Sequence, residues 1–196
     1  MVITIEQTKE LREKTGISIM QCKKALEDAG GDMEKAIILL RKKGADVASK
    51  KAGREFHSGR IATYVHGTGT AGAMVEVSCE SDFVANNEEF AKMVYDIAMQ
   101  IVATKPNYIK RADVPADEME KAKEVFSAEV KGKPEAIKEK ILAGKLDSYF
   151  KDKVLLEQDF IKDPTVTISV LLQNAIQKFG EKMEIARFSR FGVMEK

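Results

Sequence analysis

The chain holds no tryptophan, two cysteines, two histidines and four prolines in 196 residues. Each scarcity excludes something. Cys22 and Cys79 stand alone, without a C-x-x-C pair, so a disulfide scaffold has nothing to build on, and both are expected to be small buried thiols. His57 and His66 are too few for a histidine-based metal centre, and no H-x-x-x-H or His–Cys cluster occurs. No metal and no cofactor are therefore expected. No uncharged apolar run approaches the roughly 18 residues that span a bilayer, which excludes an integral membrane protein. The opening MVITIEQTKE lacks a cationic segment followed by an apolar stretch, so no secretory signal is expected. A surplus of either charge is missing as well. Lys+Arg number 32 and Asp+Glu 31, a net charge of +1, which removes the simplest argument for a nucleic-acid partner. There is no P-loop, no G-x-S-x-G elbow, no H-E-x-x-H and no carboxylate pair around a histidine. No enzyme is expected.

What is present reads as globular: hydrophobic residues make up 44% and charged residues 32%. The expectation is a cytoplasmic, mostly helical protein. Residues 1–45 carry three helices with clear punctuation. Thr4 and Gln7 form a capping box, and that helix runs to about Lys14 before Thr15-Gly16. Ser18 and Gln21 repeat the box for a second helix through Ala29, closed by Gly30-Gly31. Asp32 caps a third, Met33 to Lys43, closed by Gly44. Ile5, Leu11, Ile17, Met20, Ala25, Leu26, Ala29, Ala36, Ile37 and Leu40 are the expected core of this small module. Residues 46–55 read as a linker. With Arg41, Lys42 and Lys43 its cations form either a solvated tether or a contact for phosphate or an acidic partner.

From Gly59 the hydrophobic period changes to two. Arg60–His66 and Ala73–Glu80 alternate on either side of the turn-rich GTGTAG, which predicts a hairpin with one wet face. Gly67–Gly72 matches G-x-G-x-x-G literally. A strand follows it where a dinucleotide site needs a helix N-terminus, so a hairpin loop is the reading. A helix capped by Asn86 or Asn87 then carries the stripe Phe90, Met93, Val94, Ile97, Ala98 and Ile101. Further helices are expected from about Ala116 to Val130, with Met119, Ala122, Val125 and Phe126 on one side, and from Pro134 through Leu142, resuming after Gly144. Thr167–Phe179 favours a helix by its length, and Met183–Val193 a third strand. Residues 56–196 are thus an α+β core, a three-stranded antiparallel sheet covered by helices on one side.

Between Ile61 and Ala91 there is no Lys or Arg, while Glu76, Glu80, Asp82, Glu88 and Glu89 all fall inside. That stretch predicts an acidic surface suited to a basic or metal-bearing protein partner. Within it, Asp82 and Phe83 stand side by side where a strand ends and a helix begins. Two readings fit: Phe83 plugs the core beside a turn aspartate, or the pair protrudes and wedges into a partner.

Leu11-Arg12-Glu13-Lys14-Thr15-Gly16 followed by Met20-Gln21-Cys22-Lys23-Lys24-Ala25-Leu26 closely resembles the amino-terminal signature of the elongation factor Ts family. Glu80-Ser81-Asp82-Phe83-Val84-Ala85 looks like its second signature, T-D-F-V-A. Gly132-Lys133-Pro134, Phe160-Ile161-Lys162-Asp163-Pro164 and Arg187-Phe188 are similar too, so the resemblance spans essentially the whole chain. Ser81 stands for the usual Thr, Gln21 for Asp and Ile19 for a frequent Met. The resemblance implies a ubiquitin-associated-like helical module, a linker, and a single-sheet core of the short form, in which dimers are known. It further implies a guanine-nucleotide exchange factor for elongation factor Tu. Asp82 and Phe83 would then intrude near the partner's magnesium site, while Arg12, Ile19 and Met20 grip its G domain; His66 on the hairpin reads as a surface residue. The competing reading is an adaptor module, residues 1–45, fused to an unrelated scaffold.

Overall fold

The computed structural model describes residues 3–130 and 134–195; Gly132 and Lys133 of the family resemblance lie outside the described residues. Three helices come first: α1 (Ile5–Thr15), α2 (Ile19–Asp28) and α3 (Met33–Lys51). Strands β1 (Ser58–Val65) and β2 (Ala71–Cys79) form a hairpin, then the single turn α4 (Asp82–Ala85) leads into α5 (Glu88–Thr104). A helical pair, α6 (Ala116–Glu129) and α7 (Glu135–Lys151), precedes the short strands β3 (Asp159–Phe160) and β4 (Asp163–Thr167). Helix α8 (Ile168–Phe179) and strand β5 (Met183–Gly192) complete the chain.

The fold is α+β, as expected. The main sheet has the order β1-β2-β5, antiparallel throughout. Its inner face presents Ala73, Val75, Val77 and Cys79 from β2 with Met183 and Ile185 from β5. The expected stripe of α5, Phe90 through Ile101, lies wholly in this core. Each such side chain contributes about 2 kcal/mol on burial, which makes the α5–sheet layer the main source of cohesion. Helix α8 adds Ile168, Leu172, Ala175 and Ile176. Between Glu76 and Val77 the register with β5 slips, leaving Ala186 extra. That bulge turns Arg187 outward onto Glu76 at 2.7 Å.

The amino-terminal helices surround Leu11, Ile17, Cys22, Ala25, Leu26, Ala36 and Leu40. Two expected core residues are outside it. Met20 is 81% exposed and Ile5 70%. Helical geometry explains both: Met20 lies about 200° round α2 from Cys22, and Ile5 about 240° round α1 from Leu11. Val125 of α6 likewise faces solvent, because the α6–α7 pair packs round Val114, Ala122, Phe150 and Val154. Helix α7 runs unbroken through Gly144. The β3–β4 pair has no period-two signal in the sequence; it is tied to α5 by the fully buried Gln100, whose Nε2 donates to the Asp159 carbonyl and whose Oε1 accepts from Ile161 N–H.

Helix α3 does not stop at Gly44. It continues to Lys51, so residues 46–51 are helix rather than tether. Gly44 serves close approach instead of termination: a Cβ there would stand 3.2 Å from Gln177 Oε1 and 3.6 Å from the Gln173 carbonyl of α8. Val47 and Ala48 rest on the main core just beyond. The second capping box is half made. Ser18 accepts from Gln21 N–H, but the Gln21 side chain accepts from Gln177 Nε2 at 2.5 Å, joining α2 to α8.

Gly44→Val should therefore cost about 1–3 kcal/mol, because a branched side chain must push α3 off α8. Gly144→Ala has open space in mid-helix and should gain about 0.5–1 kcal/mol. Thermal unfolding of the two variants checks both signs.

Candidate functional site

The turn after β2 is shaped by three residues. Cys79 ends the strand fully buried, its Sγ against the Ser81 carbonyl at 3.3 Å, and burial pushes its thiol pKa up. Ser81 is in extended conformation and caps α4, accepting from Val84 N–H. Val84 and Ala85 then face the core. A one-turn helix that buries its last two residues must aim its first two outward. Phe83 is 82% exposed. The core-plug reading is thus overturned, and the exposed-pair geometry is what remains. Asp82 beside it is exposed and accepts from Ser58 Oγ at 2.6 Å.

The acidic surface is smaller than the cation-free stretch predicts, since the fold carries cations to it from elsewhere. Arg54 reaches Glu80 at 3.0 Å, Arg187 reaches Glu76 at 2.7 Å, and Lys178 pairs with Glu89. Burial raises the Glu80 pKa, but Lys182 N–H and the Arg54 guanidinium outweigh it and hold the carboxyl below its ordinary value. Asp82 has no cation at ion-pair distance among the described residues.

The amino-terminal candidates form a second group. Arg12, near the end of α1, and Ile19, at the start of α2, both line a cleft of about 780 Å³. Glu89 of α5 and Lys178 of α8 form its far wall. Met20 stands beside the cleft, facing solvent. Arg12 and Ile19 are thus brought together, while Met20, Asp82 and Phe83 lie outside the lining of this cleft. The first turn of α5, carrying Glu89, joins the cleft wall to the α4 turn. His66 sits in the hairpin loop with its Nδ1 against Thr68 Oγ1 at 2.8 Å. Gly69, at φ 68°, closes that loop as a hairpin turn, as the strand on either side requires. Among the described residues no group of three or more His, Cys, Asp or Glu could hold a metal ion, and no helix is long and apolar enough to cross a membrane.

Sequence reasoning missed Glu181, which lies in the turn between α8 and β5. Its Oε2 accepts from Glu80 N–H at 3.1 Å and Ser81 N–H at 3.0 Å, and its Oε1 accepts from the Ser81 hydroxyl at 2.5 Å. No local pattern could reveal a partner 100 residues away.

Comparison with known proteins points one way. The family model described as Elongation factor TS matches residues 47–195. Elongation factor Ts of Thermotoga petrophila is 49% identical over 195 residues, covering 100% of this chain and 98% of that protein. That of Carboxydothermus hydrogenoformans is 50% identical over 196 residues, with 99% and 90% covered. That of Thermodesulfovibrio yellowstonii is 50% identical over 194 residues, with 98% and 97% covered. The class is therefore a translation elongation factor with an α+β core. The chain belongs to the elongation factor Ts family. Membership supports a guanine-nucleotide exchange role in translation elongation.

The exposure pattern of α4 separates stability from function. Phe83→Ala should leave stability within about 0.5 kcal/mol, as for surface positions generally. Val84→Ala, one residue on, should cost about 2 kcal/mol. Thermal melts of both variants measure the contrast.

Proposed function

We propose that this chain promotes GDP release from elongation factor Tu through two separable surfaces, one that grips and one that displaces. The observation that carries the reading is the α4 turn: an exposed aromatic beside a carboxylate that accepts from Ser58 and has no cation at ion-pair distance among the described residues, on a core-anchored base. Nucleotide in such a GTPase is held by phosphate-binding amides and a Mg²⁺ ion. A partner that prefers the empty state must weaken nucleotide binding, and nucleotide must weaken the partner by the same factor. Phe83 enters an apolar slot between partner helices, and Asp82 brings negative charge towards the phosphates and the magnesium shell. Arg12, Ile19 and Met20 hold the G domain, which gives residues 1–45 the role of a binding module and residues 56–196 that of the exchange core. Nothing in this scheme needs chemistry from the chain itself; its work is differential binding.

The core also supports a homodimer. Ile61, Val65, Met74 and Phe191 are all exposed on the outer face of the main sheet, which no helix covers among the described residues. A second copy, related by a twofold axis, offers the same apolar patch and the same flanking strands. Sedimentation at two concentrations should give twice the 21.8 kDa chain mass at the higher one, and Phe191→Asp should shift the equilibrium to monomer. A monomer at both concentrations refutes the dimer.

The exchange reading is tested by GDP release from elongation factor Tu. Phe83→Ala removes an interface aromatic of the kind commonly worth about 2 kcal/mol, so release should slow about 30-fold. Asp82→Ala should cost less, because a solvated carboxylate is screened. Normal release with folded Phe83→Ala protein would refute the wedge.

A further inference from the structure

The α4 turn and the α8–β5 turn are joined by a reciprocal exchange of carboxylates. Glu181 accepts three hydrogen bonds from Glu80 and Ser81, at 3.1, 3.0 and 2.5 Å. In return Glu80 Oε1 accepts from Lys182 N–H at 2.5 Å, while Arg54 bonds the same carboxylate at 3.0 Å. The turn that carries Glu181 is itself fixed. Gly180 ends α8 in the left-handed conformation, and Lys51, the last residue of α3, donates to its carbonyl at 2.5 Å. Lys182 Nζ reaches back to the Arg54 carbonyl at 2.7 Å. Helix α4 is four residues long, far below the length at which a helix holds itself in water. Its Ser81 cap spends the hydroxyl proton on Glu181 while accepting from Val84 N–H. The orientation of the exposed pair therefore depends on a residue that touches neither Asp82 nor Phe83.

We propose that Glu181 is the positioning residue of the exchange site: its carboxylate holds Glu80 and Ser81 so that Phe83 stands out of the surface before the partner arrives. A wedge held ready loses little conformational freedom on docking, whereas a loose one must be ordered at the moment of displacement. The effect belongs on the displacement step and not on the grip, because Arg12, Ile19 and Met20 lie on other elements. This inference rests on the exchange reading given above.

The test uses the full chain with elongation factor Tu carrying a fluorescent GDP. Release is followed at saturating chain and as a function of chain concentration, with thermal melts and amide exchange of residues 80–84 alongside. Glu181→Ala should lower the saturating rate about tenfold, leave the half-saturating concentration within about twofold, and speed amide exchange at Glu80 and Ser81. Glu181→Gln can keep the contacts by turning its amide N–H towards the Ser81 hydroxyl, so it should restore most of the rate. Combined with Phe83→Ala, Glu181→Ala should add no further loss, since both act through one group. Ser81→Ala, which removes the shared hydroxyl, should reproduce the loss in part and serves if Glu181→Ala melts early. A normal rate in Glu181→Ala with a slow Phe83→Ala overturns the positioning role and leaves the exchange reading standing. Losses that simply add in the double variant also overturn it. A normal rate in Phe83→Ala itself brings down the exchange reading, and the positioning role with it.

Discussion

The structure hangs on the burial of one face of α5 against one face of the β1-β2-β5 sheet. Phe90, Val94, Ile97, Ala98 and Ile101 are fully excluded from water there, as are Val75, Val77 and Cys79 opposite them. Because β2 leads into α5 through only eight residues, Glu80–Asn87, both ends of that connection are pinned by the core. Val84 and Ala85 are drawn into it. Phe83 then has no inward direction left. Exposure of an aromatic is normally unfavourable, so the geometry accepts that cost locally in exchange for an ordered core around it.

Polar contacts at this connection do a different task from apolar burial. The α5 layer decides that the turn exists; the carboxylates of Glu181 and Glu80 decide its shape. Backbone N–H groups at residues 80 and 81 would otherwise lack partners at a partly buried site, a cost of about 1–3 kcal/mol apiece. Charged acceptors satisfy them with stronger bonds than neutral ones would give. The α8–β5 turn that carries Glu181 receives Lys51 of α3 at the Gly180 carbonyl, so the amino-terminal helices reach the exposed pair through that turn.

The amino-terminal module is joined to the core by more than a tether. Gly44 lets α3 lie close on α8, and Gln21 meets Gln177 across the same boundary. Both residues looked local in the sequence, one as a helix stop and the other as half of a capping box. Each instead serves a contact between distant segments. A glycine or a glutamine has the same local chemistry in either role, and only the neighbour it meets distinguishes them.

Periodicity, caps and turn residues by themselves determined the three amino-terminal helices, the hairpin, the α5 stripe, the last strand and the α+β class. Those are short-range facts: a hydroxyl capping an N–H three residues on, or apolar side chains repeating at the period of a helix. The motif around Asp82 and Phe83 was legible too, whereas Arg12, Ile19 and Met20 entered only through the family resemblance. Whether Phe83 pointed in or out was not, because core plug and exposed wedge share one local sequence. Tertiary structure decided that, through the burial of Val84 and Ala85. It also decided the length of α3, the neutralisation of Glu76, Glu80 and Glu89 by distant cations, and the clasp of Glu181 on residues 80–81. All four depend on partners outside the local segment, and packing the core is what brings such partners within reach.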